Sequence, residues 1–331
     1  MENVNLQEKV IWSRSIMWNF EDNSINIEGF KYPKIFMKLF PEFYFITQKP
    51  ITGDEILKNF GSMCDSRIVK DFISDLIKKK ILINEIPGIH QLAYSVNNSF
   101  ENKHGDSIKY NAQDLAVYKH NVLGRDLSKD DSEKIKLDIS YKRTEYMIKR
   151  RSCRSFEQNK KILFKSFSEF ISSLRQTNTN SVQYCYPTAG GLYPIDIYLC
   201  VKEDRVEGVH GGTYYYNPKY NIISKISSEI ISKKIHYFTN ERIYETSAFS
   251  IILVYNAECN MPKYNGMGYM FGLIDTGVIV GYLSMIAEQL NFGLCSIGDC
   301  NFEMIDKLLH LKKNQICVHC IEIGLKMEEV R

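Results

Sequence analysis

Residues 186–194 read Tyr-Pro-Thr-Ala-Gly-Gly-Leu-Tyr-Pro, and residues 195–201 continue Ile-Asp-Ile-Tyr-Leu-Cys-Val. Thr188, Ala189, Gly190 and Gly191 carry no large side chain, so their backbone can lie close to a ligand or to another chain segment. Glycine also takes positive φ there without steric cost. Pro187 and Pro194 stiffen the two ends. The β-branched run after Pro194 reads as a buried strand. A tight turn feeding a core strand is either a plain connection or a ligand-binding backbone. The flanking sequence decides between the two.

Upstream, a helical segment over Thr144–Lys149 leads into Arg150-Arg-Ser-Cys-Arg-Ser-Phe156, and a second helix is expected over Leu163–Leu174. Downstream, Thr213–Tyr216 and Ile222–Ile226, split by Asn217-Pro218, predict a hairpin. Ser250–Asn256 predicts another buried strand, Phe271–Asn291 a long helix, and Gln315–Met327 a last strand. Gly277 and Gly281 lie one turn apart on that helix, where another backbone can approach. Helices and strands mix without a βαβ rhythm, so residues 135–331 are expected to form an α+β domain with a central sheet flanked by helices.

The N-terminal part differs. Residues 1 to about 30 carry no clear period. Phe36, Leu39 and Phe40 can share a helix face, Thr52 and Glu55 match a capping box, and Asp65 or Ser66 can cap a helix bearing Ile68, Val69, Phe72, Ile73, Leu76 and Ile77. That helix ends in Lys78-Lys79-Lys80, which suits the negative end of its dipole. A short strand is expected over Ile81–Ile86. The pattern predicts a winged-helix-like module over residues 1–95. A polar connector follows over 96–134, with one helix near Leu115–Tyr118.

The 331 residues suffice for two domains and a sizeable core. A net charge of +3 argues for neither nucleic acid nor an anionic membrane as partner. No stretch reaches eighteen apolar residues, so no membrane span is expected. The nine cysteines follow no framework spacing and the polar N-terminus has no signal-peptide core, which together predict reduced thiols and a cytoplasmic location.

The segment 150–156 holds three guanidiniums within five residues, plus a hydroxyl. It suits one phosphate monoester, or it is a solvated basic turn. Gly293–Gly298 is not a P-loop, since Asp299 and Cys300 follow it, and Val206–Gly212 lacks dinucleotide-binding spacing. Cys317 and Cys320 lie in an expected strand and would point to opposite faces, so no metal is expected. Lys263-Tyr264, in a Gly-containing stretch read as a loop, is either a proton-transfer pair, the lysine charge favouring the tyrosinate, or a surface dipeptide.

Taken together these motifs resemble the flavin-dependent nitroreductase superfamily, and within it the SagB/ThcOx-type branch of azoline dehydrogenases. The resemblance rests on the stretches 150–156, 186–199, 213–218, 262–269 and 293–298, in the family's order, over roughly residues 140–331. It implies an FMN-binding nitroreductase-like fold, a homodimer in contact through the Gly277/Gly281 face, and a role in peptide natural-product biosynthesis. By that resemblance Arg150, Ser152 and Arg154, with Arg151 close by, would hold the FMN phosphate and ribityl chain. Thr188, Ala189, Gly190 and Gly191 would line the isoalloxazine. Leu294, Ser296 and Gly298 would approach the ring from a loop after the long helix.

The same resemblance casts Lys263 and Tyr264 in proton abstraction. A thiazoline or oxazoline would lose its α-proton to this base and a hydride to the flavin, giving an azole, and dioxygen would reoxidise the flavin. The implied partners are a modified peptide substrate and a cyclodehydratase-type enzyme. Two departures stand out: Met267 and Met270 occupy places where the branch usually carries arginine, and Asp275 and Val278 fall at its acidic and histidine positions. Two alternatives therefore stay open: a flavin-dependent reductase of a dehydroamino acid or nitro compound, and a non-catalytic peptide-binding scaffold.

Overall fold

A computed structural model of the chain describes residues 5–13, 16–61, 65–84, 107–125, 127, 135–138, 142–178, 182–237 and 240–327. The chain divides into two compact units, Met1–Lys103 and His104–Arg331. The polar stretches 97–98, 101–106 and 128–132, and residues 85–88, lie outside the described residues.

In the first unit the stretch without a clear period forms four short strands: β1 (Lys9–Trp12), β2 (Trp18–Glu21), β3 (Ser24–Ile27) and β4 (Phe30–Pro33). Strand β1 lies between β5 (Ile51–Thr52) and β6 (Leu82–Ile83), while β2, β3 and β4 form a separate meander. Helices Phe40–Ile46, Gly53–Phe60 and Ser66–Lys78 complete the unit. The Thr52 hydroxyl accepts from Glu55 N–H at 3.2 Å and Thr52 N–H donates back to Glu55 Oε2 at 2.8 Å, the expected capping box. Asp65 caps the third helix. Trp12, Ile25, Phe40, Phe60, Phe72 and Ile73 share one core.

The second unit opens with helices Ser107–Tyr110 and Ala112–Leu123, the latter without a buried residue, and the short Glu145–Lys149. Its core is a sheet built from β7 (Phe156–Glu157), β8 (Ile195–Val201), β9 (Gly212–Asn217), β10 (Ile222–Ser227), β11 (Phe249–Asn256), β12 (Phe292–Ile297) and β13 (Gln315–Lys326). The order is β10-β9-β8-β11-β13-β12, every pair antiparallel, with β7 added at the far end of β13. The centre, β8-β11-β13, is buried on both faces, which is why these three strands read as near-continuous apolar runs.

Helix Phe164–Ser172 lays Phe167 and Phe170 against Phe249 and Phe292. The 23-residue helix Met267–Gln289 packs on β8, β11, β12 and β13. Among the described residues it alone has the length and apolar composition to cross a membrane, with a mean hydropathy of 1.7. It nevertheless buries Asp275 and Thr276 against the sheet domain.

Three expectations are corrected. Lys263 and Tyr264 close a helix, Ala257–Tyr264, rather than sitting in a loop. Leu294 and Ser296 belong to strand β12, not to a loop after the long helix. Cys317 and Cys320 do not face opposite sides, since both pack in the core with Cys200, Ile252 and Val254. The register shifts between the pairs Leu253–His319 and Val254–Cys317. This β-bulge adds one residue and reverses the alternation.

Candidate active site

The arginine segment is fixed to the sheet by its backbone. Cys153 N–H donates to the Leu294 carbonyl at 2.9 Å. A Cβ on Gly293 would meet Cys153 Sγ at 2.6 Å, so only glycine lets the segment lie this close to β12. Extended backbone alternates its side chains: Cys153 turns to the sheet, while Ser152 and Arg154 stay exposed.

A pocket of about 280 Å³ lies beside this segment. Arg150, Arg151 and Ser152 line it from one side. Val280, Gly281, Ser284 and Glu288 of the long helix line another, and Phe292, Leu294 and Ser296 of β12 a third. Leu294 and Ser296, two apart on a strand, share a face. Glu288 does not present a bare anion here, because Lys326 Nζ lies 2.6 Å from its Oε1. Ser296 Oγ lies 2.6 Å from His319 Nε2, and burial pushes the His319 imidazole below its ordinary value, so it favours the neutral form.

Arg154 lines the wider open groove outside this pocket, with Leu115, Lys119 and Arg242. Gly298 lies past β12, where a Cβ would meet His319 Cε1 at an ordinary 3.7 Å.

The turn 188–191 does not line the arginine pocket. It meets an earlier part of the long helix, where Ala189 N–H donates to Asp275 Oδ1 at 3.0 Å. Thr188 Oγ1 accepts from Tyr193 N–H at 3.1 Å. Gly190 and Gly191 have φ of 66° and 67°, and Tyr193 has φ of 45°, so three of the four residues 190–193 have positive φ and only Leu192, at −97°, does not. A Cβ on Gly190 would lie 2.3 Å from Tyr264 Oη and 2.9 Å from Lys263 Nζ. The side-chain ends of the Lys-Tyr pair thus converge on the turn, 73 positions earlier in the chain at its nearest pairing (263 minus 190).

Other residues brace this corner. Asn260 is fully buried, its Oδ1 accepting from Tyr255 Oη at 2.6 Å and its Nδ2 donating to the Gly268 carbonyl at 2.9 Å. It thereby ties the end of β11, the helix bearing Lys263 and Tyr264, and the start of the long helix. Tyr264 packs edge-on to Phe271, ring centroids 5.1 Å apart, and Lys263 Nζ lies 4.9 Å from the Tyr264 ring centroid. Asn260 carries no sequence signal. Asp275 does, as a carboxylate within an apolar helix.

Asp275 is 3% exposed and its Oδ2 has no hydrogen-bond partner. Burial raises its carboxyl above the ordinary value, against the pull of the Ala189 N–H. A buried orphan acceptor, a turn bared by glycine, and a pocket with two guanidiniums and a hydroxyl are compatible with a group having a phosphate at one end and a flat polar ring at the other. The charge and hydroxyl of the arginine pocket fit a phosphate such as that of FMN.

The Nitroreductase family model matches residues 147–324. The Methanocaldococcus jannaschii protein MJ1384, described as a nitroreductase, is 24% identical over 199 residues, 60% of this chain and 95% of its own length. The Escherichia coli microcin B17-processing protein McbC is 25% identical over 125 residues, 36% of this chain and 46% of McbC. Among solved structures, the E. coli microcin synthetase McbBCD complex with truncated pro-MccB17 bound matches with a TM-score of 0.56 and 17% identity, covering 82% of this chain and 98% of the matched chain. The likeness to that structure is one of fold. With its α+β sheet domain and a family model matching more than half its length, the chain belongs to the nitroreductase family of oxidoreductases.

Proposed function

We propose that this protein is an FMN-dependent dehydrogenase that oxidises thiazoline or oxazoline rings of a modified peptide to azoles. The observation that carries this reading is the convergence of Tyr264 Oη and Lys263 Nζ on Gly190, in the turn assigned to the flavin ring. A base and a cation meet the bare backbone where a flat ring would lie. McbC is named for processing microcin B17, and the McbBCD structure holds truncated pro-MccB17. Both support a peptide substrate and a cyclodehydratase-type partner for this chain.

Each residue then has a task. Arg150, Arg151 and Ser152 bind the phosphate through charge-assisted hydrogen bonds. Leu294 packs against the ribityl and ring side of the pocket. Asp275 holds the Ala189 N–H, and with it the turn, in one position. Tyr264, held as the phenolate by the charge of Lys263, takes the α-proton of the azoline and becomes the neutral phenol. FMN, when bound, supplies the hydride acceptor, and dioxygen regenerates it.

The arginine pocket and the turn lie at different parts of the long helix within one chain. Met270, Leu273 and Ile274 of that helix are exposed, and a Cβ on Gly277 or Gly281 would meet nothing within 4 Å. Both features support a homodimer, in which a second copy covers this face and completes the flavin site. All eight cysteines among the described residues are free, which agrees with a cytoplasmic location. The first unit we assign as a winged-helix-like module that receives the peptide.

Met267 and Met270, 55% and 49% exposed at the start of the long helix, favour a second reading. Their uncharged side chains suit a neutral acceptor, and the reaction would then be reduction of a dehydroamino acid or nitro group. One experiment separates the two: aerobic incubation of the FMN-loaded protein with a cyclised, azoline-bearing peptide. A mass lower by two hydrogens per ring supports the dehydrogenase; an unchanged peptide, with nicotinamide oxidised in the presence of a nitro or dehydroamino acceptor, supports the reductase.

A further inference from the structure

Past the end of β12 a second group of ionisable side chains is closed into the fold, apart from the residues assigned to the flavin. His236 and Cys300 face each other across an isolated antiparallel bridge. Cys300 Sγ lies 3.4 Å from His236 Nδ1, and His236 Nε2 lies 3.0 Å from Glu322 Oε1. Glu322 is fully buried and also accepts from Ser247 Oγ at 2.6 Å and from Ser250 Oγ at 2.8 Å. Lys202 Nζ faces the same cluster, 3.2 Å from Ser247 Oγ. Thiol, imidazole and carboxylate thus stand in a row, the order in which a cysteine is activated by a base that an acid orients.

A second thiol adjoins the first. Pairing of β12 with β13 sets Ile297 opposite Cys320, and the chain then turns so that Cys300 returns towards it. Cys300 packs against the core cluster that contains Cys320, whose thiol donates to Glu322 Oε1 at 3.6 Å. The neighbouring Cys320 thiol, with His236 and against burial, holds the Cys300 thiol well below its ordinary value. Burial alone would lower the His236 imidazole, but Cys300 and Glu322 on its two nitrogens hold it at about 9. Cys300 is half-buried and Cys320 fully so, hence a small reagent from solvent meets Cys300 first. An activated, reachable thiol beside a second, resolving thiol is the arrangement that oxidation to a disulfide requires.

We propose that Cys300 and Cys320 form a hydroperoxide-reactive thiol pair, Cys300 reacting first and Cys320 resolving it. The Cys300 thiolate attacks one oxygen of hydrogen peroxide and the O–O bond breaks. The departing hydroxide takes a proton from the His236 imidazolium and leaves as water, with Cys300 as the sulfenic acid. The Cys320 sulfur then attacks the Cys300 sulfur. The S–O bond breaks, and hydroxide leaves with the Cys320 proton as a second water. Two thiols lose two electrons and peroxide gains them. The bond would tie the chain just past Gly298 to β13 and so fix the end of the strand that carries Ser296.

Hydrogen peroxide is also what a flavin reoxidised by dioxygen releases. That connection rests on the proposed function, but the thiol chemistry does not, and its test supplies the peroxide directly. The full-length protein is treated with hydrogen peroxide in small excess, quenched with N-ethylmaleimide and mapped by peptide mass spectrometry. A Cys300–Cys320 disulfide is expected, formed at least about tenfold faster than the exposed Cys185 and Cys259 are oxidised. In Cys320→Ser, dimedone should label Cys300 as the sulfenic acid. Metal content is measured on the same sample, because the ligand atoms of His236, Cys320 and Glu322 lie within 4.8 Å of one another. Stoichiometric zinc in the purified protein would overturn the proposal, as would Cys300 remaining a free thiol while Cys185 or Cys259 is oxidised.

Discussion

The backbone N–H of Ala189 donates to Asp275 Oδ1 at 3.0 Å, joining the glycine turn to the long helix across 86 positions of sequence. The other oxygen of the same carboxylate is buried without a partner. One side chain therefore both positions the turn and carries an uncompensated burial cost.

Asp275→Asn and Asp275→Ala should separate these two effects. Asparagine keeps an acceptor for Ala189 and removes the charge; alanine leaves the N–H unsatisfied, at a cost of about 1–3 kcal/mol. The folded carboxyl titrates above its ordinary value of 3.8, so the folded state binds more protons than the unfolded one between those two pH values. Stability from this group therefore falls as pH rises through that window, and the penalty is complete above it. Denaturant titrations should find Asp275→Asn at least as stable as wild type at pH 7, with the difference gone below about pH 3.8. A loss of stability in Asp275→Asn at pH 7 equal to that in Asp275→Ala would contradict this.

Gly190→Ala and Gly191→Ala have nearly the same φ, 66° and 67°, and so a similar backbone cost of about 1 kcal/mol. Only Gly190 has the Lys-Tyr pair against it, while a Cβ on Gly191 would meet nothing within 4 Å. Both variants should lose a comparable, modest amount of thermal stability. Turnover should fall by an order of magnitude or more in Gly190→Ala alone, because Tyr264 Oη must move. Equal turnover in the two variants would show that the contact plays no part.

Gly293→Ala places a methyl group 2.6 Å from Cys153 Sγ. The arginine segment must shift off β12, and the Cys153 to Leu294 hydrogen bond lengthens. FMN affinity, measured by fluorescence quenching, should drop about tenfold or more while the helical content stays unchanged. Retention of wild-type affinity would remove the segment from the cofactor site.

Much of this could be read in the sequence where burial is two-sided or a cap is local. Strands β8, β11 and β13 announce themselves as apolar runs, and Thr52 and Glu55 meet as a capping box because that contact spans only three residues. Four-residue strands such as β2 and β3 are too short for alternation to register. Pro262 and Gly266 mark a loop by composition, yet Pro262 sits inside the Ala257–Tyr264 helix. The bulge at β13 was hidden because it depends on pairing with β11 rather than on any residue of Cys317–Cys320. The buried orphan on Asp275, the brace at Asn260 and the Cys300–His236–Glu322 row are tertiary, and no spacing in the chain encodes them.

Tyr264→Phe removes the proposed base and keeps the ring that packs on Phe271 at 5.1 Å. The variant should fold and bind FMN as wild type does, with kcat on an azoline substrate reduced by about 10²–10⁴. Full activity would dismiss Tyr264 as the base.

The central claim is that an azoline ring delivers its hydride to FMN on this protein, and anaerobic mixing tests it most directly. FMN-loaded protein and a thiazoline-bearing peptide are combined without dioxygen, and the flavin absorbance is followed. Loss of the oxidised flavin band, with the peptide lighter by two hydrogens, is the predicted result. A fully loaded protein whose flavin stays oxidised while the intact peptide is recovered would contradict it.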